Sequence, residues 1–163
     1  MTVRDADETD LPGILAIYNE VIRTSTAVYA EVPTTLEERR TWWRQRVAAG
    51  YPVIVAADES GVCGFASFGE FRGAWAGYRY SVEHSVHVRD DRRAHGIGTT
   101  LVSELVGRAT LLGKHVMIAG IDAANAPSIR FHQRLGFQPV GTFREVGYKF
   151  GGWLDLHFMQ RML

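Results

Sequence analysis

The amino-acid sequence predicts an α+β fold: a central sheet of mixed, mostly antiparallel strands, six to seven in number and flanked by about four helices. Three observations predict it. Of 163 residues, 46% are hydrophobic, enough for the core of one compact domain. No repeat, low-complexity run or linker divides the chain, so residues 1–163 read as a single domain. The periodicities also come in an irregular order: helices early, then a strand meander, then a βαβα unit, then a hairpin. A doubly wound sheet would alternate regularly.

Residues 2–6, TVRDA, form a short opening strand. A helix follows over 10–24, where Leu11, Ile14, Ile17, Tyr18 and Val21 recur at helical spacing. Asp10 is placed to cap it, with Pro12 and Gly13 in the first turn. Residues 25–35 read as a loop. A second helix runs over 35–50, capped by Thr34 or Thr35 and closed by Gly50. Strands at 51–58 and 62–71 are joined by the turn DESG. A strand at 80–88, a helix at 98–113, a strand at 115–121 and a helix at 126–136 stopped by Gly136 follow. The last two strands, 137–146 and 153–163, are joined by GYKFGG.

Bulk properties narrow the function. Lys plus Arg and Asp plus Glu are both 18, a net charge of zero, which argues against nucleic acid or an anionic membrane as partner. Cys63 is the single cysteine, so no internal disulfide exists and a reduced compartment fits. The charged start MTVRDADETD has no apolar stretch behind it, so no signal peptide is expected. No run reaches membrane-spanning length. A cytoplasmic location is the expectation. The six histidines are scattered, and His84 with His87 lacks a Cys or carboxylate arrangement to close a metal shell, so no metal is expected.

The stretch RRAHGIGTTL, residues 92–101, lies between the strand ending at Val88 and the helix beginning near Gly98. A glycine turn that opens a helix exposes backbone N–H groups without internal acceptors, and with the helix dipole these suit phosphate oxygens. Arg89, Arg92, Arg93 and His95 are placed to meet further phosphate charge. A Walker loop needs Gly-Lys-Ser/Thr, which is absent, and a dinucleotide fingerprint needs a third glycine where Leu101 stands. The remaining pattern, Arg93-x-x-Gly96-x-Gly98, resembles the GNAT N-acetyltransferase superfamily, an αβα fold with a splayed cleft for acetyl-CoA. The resemblance implies that the turn from Arg93 through Ala94, His95, Gly96, Ile97 and Gly98 to Thr99 holds the pyrophosphate of acetyl-CoA. The plainer reading is an ordinary strand–helix turn.

NAPSIRFHQRLGF, residues 125–137, resembles the next motif of that family. This implies that Asn125 and the start of the helix, including Ser128, contact the pantetheine arm; Asn125 is also a natural N-cap. Many family members carry a Tyr in this helix that protonates the leaving thiolate. His132 occupies the matching position, leaving two readings: a general acid, or a helix-surface histidine without catalytic duty. YRYSVEHSVHV, IAGIDAANAPSIRFH, EVGYKFGGWLDLHFMQ and LPGILAIYNEVI resemble the phosphinothricin and methionine sulfoximine acetyltransferase branch over nearly the whole chain. The branch implies acetylation of a small amino-acid-like acceptor, detoxification or resistance, and a homodimer with contacts from the C-terminal region.

Acetyl transfer asks a neutral amine to attack a thioester, and a free α-amino group has a pKa of roughly 8. A carboxylate near the amine takes the proton, directly or through water. Glu83 is the candidate, and the branch has a Glu at the matching position. Strand alternation sets Ser81, Glu83, Ser85 and His87 on one face and Val82, His84, Val86 and Val88 on the other. His84 then reads as a core histidine, unless a bulge of the kind GNAT folds carry in this strand turns it toward the acceptor, where it and Ser85 make contacts. Val86, His87 and Val88 present backbone groups to the pantetheine, and an N–H there polarises the thioester carbonyl. Cys63, in an apolar strand without an activator, is rejected as nucleophile.

The connection EFRGAWAGYRY is rich in Arg and aromatics. An acceptor carboxylate suits a bidentate arginine, Arg72 first and Arg79 second, with Trp75 as a pocket wall. Tyr78 and Tyr80 read as packing on the sheet. The loop STAVYAEVP folds over the acceptor in the family, making Tyr29 and Glu31 possible contacts. In TWWRQR, a core or interface Trp beside solvated arginines is preferred to a nucleic-acid cluster. Alternatives are a GNAT enzyme for another amine, such as a protein N-terminus or a polyamine, and a module that senses acyl-CoA without turnover.

Overall fold

A computed structural model describes residues 1–163 as seven strands, four helices and short 3-10 turns. In chain order they are β1 (Thr2–Asp5), α1 (Leu11–Thr24), α2 (Leu36–Ala48), β2 (Val53–Asp58), β3 (Gly61–Glu70), β4 (Ser81–Val88), α3 (Ile97–Leu111), β5 (Val116–Asp122), α4 (Ala126–Arg134), β6 (Gln138–Lys149) and β7 (Gly152–Met162). The strands form one open sheet in the order β1-β2-β3-β4-β5-β7-β6. Every neighbouring pair is antiparallel except β4 and β5. The mixed sheet with four helices agrees with the expectation.

The two faces carry separate cores. α3 and α4 cover one face, where Leu101, Leu105, Phe68, Val82, Met117 and Met159 are buried together. α1 and α2 cover the other over β1–β4, burying Leu11, Ile14, Val55 and Phe65. β3 lies between both layers, so eight successive residues, Val62 to Gly69, are buried. A bulge at Ala56/Ala57 opposite Cys63 resets its alternation, which is why Cys63 and Ala66 both face α3.

Local chemistry explains most boundaries. Of the two threonines expected at the start of α2, Thr35 is the cap, and Glu38 closes a capping box with it. Asp10 does not cap α1: its carboxylate accepts from Arg4 Nη1 at 2.6 Å and Nη2 at 2.9 Å and from the Asp7 N–H at 2.9 Å. An ion pair and a preceding 3-10 turn have taken the group that the cap needed. The final hairpin also differs. β6 continues to Lys149, with register shifts between Pro139 and Gly141 and between Phe143 and Gly147, so most of the expected connection is paired strand.

The feature that positions the site is the junction of β4 and β5. They pair in parallel at Ser81–Val116, Val82–Met117 and Glu83–Ile118 only. Beyond Glu83, β5 continues on β7 and β4 on β3, and the two diverge. One edge of β4 from His84 to Val88 is therefore unpaired inside the sheet.

Leu101 is fully buried at the centre of the larger core. Leu101→Ala is expected to cost about 2–5 kcal/mol of folding free energy, read as a lower urea midpoint with an unchanged slope.

Candidate active site

A cavity of about 330 Å³ opens where β4 and β5 diverge. Glu83 to His87 and Ala119 to Asp122 line it from the strands, and Asn125, Ser128 and His132 from α4. Tyr18 of α1, Ala27 and Val28 of the loop between α1 and α2, Arg39, Trp42 and Arg46 of α2, and Phe65 of β3 complete it.

Two glycines make room for Glu83 and for Arg46. A Cβ on Gly120 would stand 3.2 Å from Glu83 Oε1. A Cβ on Gly69, which is Glu83's partner on β3, would stand 1.3 Å from Arg46 Nη1. The Arg46 guanidinium therefore lies directly over the backbone beside Glu83. Burial pushes the Glu83 carboxyl above its ordinary range, and Arg46 opposes that rise. Arg39 is 9% exposed, with its guanidinium carbon 4.0 Å from the Tyr18 ring centre and 4.5 Å from that of Trp42. Its Nε has no partner, and neither Arg39 nor Arg46 forms an ion pair. Asp122, also in the cavity, is engaged by the Thr26 hydroxyl and the Ala124 N–H.

β4 keeps unbroken register with β3 from Val82 to Val88, so no bulge turns His84. It faces α4 instead, with Nε2 3.2 Å from His132 Nε2 and its ring against Phe137. His132 Nδ1 lies 2.8 Å from the Ser128 carbonyl, which only accepts, so Nδ1 carries the hydrogen. In the neutral ring Nε2 is then an acceptor, and His84 Nε2 donates to it. This leaves His84 Nδ1 a bare lone pair, buried and without a partner. Burial lowers His84 to about 3, with His132 and His87 adding to the effect. His87 points to the opposite face, against Tyr18 and Phe65, and is lowered to about 4, chiefly by burial. His132 itself is buried, not on the helix surface, and its pKa is lowered by burial.

The glycine turn opens α3, one residue earlier than the helix start expected near Gly98. Ala94 (φ 63°) and Gly96 (φ 78°) are left-handed, and Gly96 opens α3 without a side-chain cap. The N–H groups of Ile97, Gly98 and Thr99 come before that of Thr100, the first to reach an intrahelical acceptor, the Gly96 carbonyl, at 3.0 Å. Gly98 lets α4 approach: its Cβ would stand 3.3 Å from the Phe131 ring. The basic side chains are not free as expected. Arg93 pairs with Asp90 at 3.1 Å, Arg92 with Asp58 at 3.2 Å and Arg89 with Asp91 at 2.6 Å, while His95 Nδ1 lies 2.7 Å from the Arg93 carbonyl. Asn125 caps α4 by accepting from the Ser128 N–H at 3.2 Å.

Arg72 and Trp75 lie outside the cavity lining. Both are exposed on the β3–β4 connection, where the Arg72 guanidinium stands 5.0 Å from the Trp75 ring centre and 5.2 Å from that of Tyr78. Tyr78 packs on Phe71, but Tyr80 is exposed beneath Arg79. Tyr29 and Glu31 turn away from the cavity: the Tyr29 hydroxyl donates to the Asp155 carbonyl at 3.0 Å, and Glu31 accepts from the Phe150 N–H at 2.9 Å. Arg39 and Arg46 are the residues that sequence reasoning missed. Their spacing of seven, with Trp42 between, places all three on one helix face, and that was the available signal.

A family model described as the acetyltransferase (GNAT) family matches residues 14–137. The L-methionine sulfoximine/L-methionine sulfone acetyltransferase of Pseudomonas aeruginosa is 50% identical over 160 residues, covering 98% of this chain and 92% of its own. The crystal structure of a ribosomal-protein-alanine N-acetyltransferase from Brucella melitensis superposes with a TM-score of 0.98 at 47% identity, covering 100% of both chains. That of a GNAT superfamily phosphinothricin acetyltransferase from Sinorhizobium meliloti in complex with acetyl-CoA gives 0.95 at 43% identity, covering 99% of this chain and 88% of the other.

Arg46→Met removes the charge that opposes the burial cost at Glu83 and leaves the burial. The Glu83 carboxyl is then expected to titrate at higher pH than in wild type, as read by carboxyl carbon NMR. An unchanged or lower midpoint would exclude coupling between the two groups.

Proposed function

This chain belongs to the acetyltransferase (GNAT) family, and on that premise we propose that it acetylates the amino group of a small amino-acid analogue, with methionine sulfone, methionine sulfoximine and phosphinothricin as candidates. It is an acetyl-CoA-dependent N-acetyltransferase. Its residues fit that donor: the N–H groups of Ile97, Gly98 and Thr99 suit a diphosphate, and the unpaired edge of β4 suits the amides of a pantetheine arm. Acetyl-CoA supplies the acetyl group as a thioester, which the amine attacks directly.

The observation that carries the substrate class is the charge inside the cavity. Arg39 and Arg46 are without carboxylate partners beside a half-buried Glu83. An acceptor bearing both an amine and a carboxylate complements this arrangement, with the amine at Glu83 and the carboxylate at a guanidinium. A polyamine would meet two uncompensated cations. A protein N-terminus, the substrate class in the name of the Brucella protein, offers an amide where the amino acid offers an anion. Arg72 and Trp75, on the connection that leads into β4, are assigned as outer contacts of the acceptor.

Glu83 acts as the base. Once ionised it takes a proton from the ammonium, directly or through water, so the rate rises with pH through its raised pKa. The β3 register turns the His87 N–H toward β3, so a backbone N–H of Val86 or Val88, on the unpaired edge of β4, faces the developing oxyanion. His84 and Ser85 border the acceptor from β4. His132 Nε2 donates only after taking a second proton, which burial disfavours.

The reading extends to a cytoplasmic homodimer whose activity detoxifies the analogue. The C-terminal hairpin supports the dimer by exposing Phe143, Val146, Tyr148, Phe150 and Trp153 in one region. Sedimentation at twice the chain mass checks it.

Thiol release from acetyl-CoA across an acceptor panel tests the substrate class. Methionine sulfone is expected to exceed its decarboxylated amine by at least about 100-fold in kcat/KM, the scale of an unmade charge-assisted contact. Equal turnover of the two, or better turnover of alanine-terminated peptides, overturns the assignment. Glu83→Gln is expected to lower kcat by about 10²–10⁴ while acetyl-CoA binding, read by calorimetry, stays unchanged.

A further inference from the structure

We propose that Lys149 is a positioning residue of the acceptor site: its buried ammonium fixes the main chain of residues 25–28 against the β6–β7 hairpin, and so sets the wall that Ala27 and Val28 present to the cavity. The assignment of that wall to the acceptor rests on the function proposed above.

Lys149 ends β6 and is 1% exposed, yet no carboxylate lies within ion-pair distance of it. Its Nζ donates to the Ser25 carbonyl at 2.6 Å and the Val28 carbonyl at 2.8 Å, and lies 4.7 Å from the Phe150 ring centre. A buried ammonium is costly unless its donors are used. Here two of them grip one short loop. Carbonyls three residues apart, held from a single point, bend the chain between them, and the bend carries Ala27 toward the cavity.

The same loop is tied down on both sides of that grip. The Thr26 hydroxyl bonds Asp122, itself a cavity residue at the end of β5. The Tyr29 ring fills the notch left by Gly147, where a Cβ would stand 2.4 Å from Tyr29 Cδ2, and its hydroxyl reaches the Asp155 carbonyl at 3.0 Å. Gly147 sits at the end of the second register shift of β6, so the irregular strand builds the seat. Glu31 accepts from the Phe150 N–H at 2.9 Å. One side of residues 25–31 thus belongs to the hairpin, and Ala27 and Val28 belong to the cavity.

Lys149→Met keeps the length of the side chain and removes its donors. Amide hydrogen exchange over residues 25–31 is expected to rise at least about tenfold while the cores stay protected, a readout that needs no substrate. For whichever amine the wild type turns over fastest, the acceptor KM is expected to rise about tenfold, with the acetyl-CoA KM and kcat within about twofold of wild type. Lys149→Arg, which retains donors, is expected to recover part of the acceptor KM. Unchanged exchange at 25–31, or both KM values rising together, overturns the proposal. If Lys149→Met does not fold, Thr26→Val releases the same loop from its other anchor, and an unchanged acceptor KM there overturns it equally. A wild type inactive on amino-acid analogues but active on another amine removes the substrate assignment alone.

Discussion

The short pairing of β4 with β5 is the constraint on which the rest of the molecule depends. Three pairs hold the two strands together, and past Glu83 each strand keeps only its outer neighbour. On the α4 side the rings of His84, His132 and Phe137 fill the wedge. On the α1–α2 side the wedge stays open as the cavity. Parallel strands joined by a helical crossover are ordinarily buried and paired along their length. Here the crossover through α3 begins at the glycine turn, so the same divergence that frees the edge of β4 also aims the helix N-terminus at one end of it.

The centre of the site is held by absent side chains as much as by present ones. Gly69 admits Arg46, and Gly120 admits Glu83. Any Cβ at Gly69 would expel the guanidinium and leave the carboxylate buried without its nearby positive charge. Glu83 is therefore costly where it sits. Its folded pKa lies above the unfolded one, so it opposes folding at neutral pH, and that opposition disappears only as pH falls below the unfolded value. Such a cost is common where a carboxyl is tuned for proton transfer.

Much of this was legible in the sequence because some residues announce their backbone. Gly96 and Gly98 mark a turn that opens a helix, a threonine before Leu36 marks a cap, and strict alternation separates Glu83 from His84. Other parts were silent for physical reasons. Arg39 and Arg46 lie on a helix so rich in charge that only their spacing with Trp42 marks its inward face, and isolated arginines are usually solvated. Lys149 falls in the expected connection GYKFGG, where a lysine carries no sign of burial, yet β6 continues through it and it is buried. Gly69 and Gly120 carry no chemistry of their own, so their meaning depends on partners far away in sequence. Asp10 shows the converse: a good cap by local rules, recruited by Arg4 across space.

The ion pairs around the glycine turn carry a consequence for selectivity. Arg89, Arg92 and Arg93 are matched by Asp91, Asp58 and Asp90, so the turn projects little long-range field. Polyanions such as RNA are drawn to unmatched cationic stripes through counterion release, which makes their capture steeply dependent on ionic strength. A turn whose cations are matched and whose remaining donors are peptide dipoles, which act only at contact distance, is a poor trap for such polymers, and added salt changes its pull on them little.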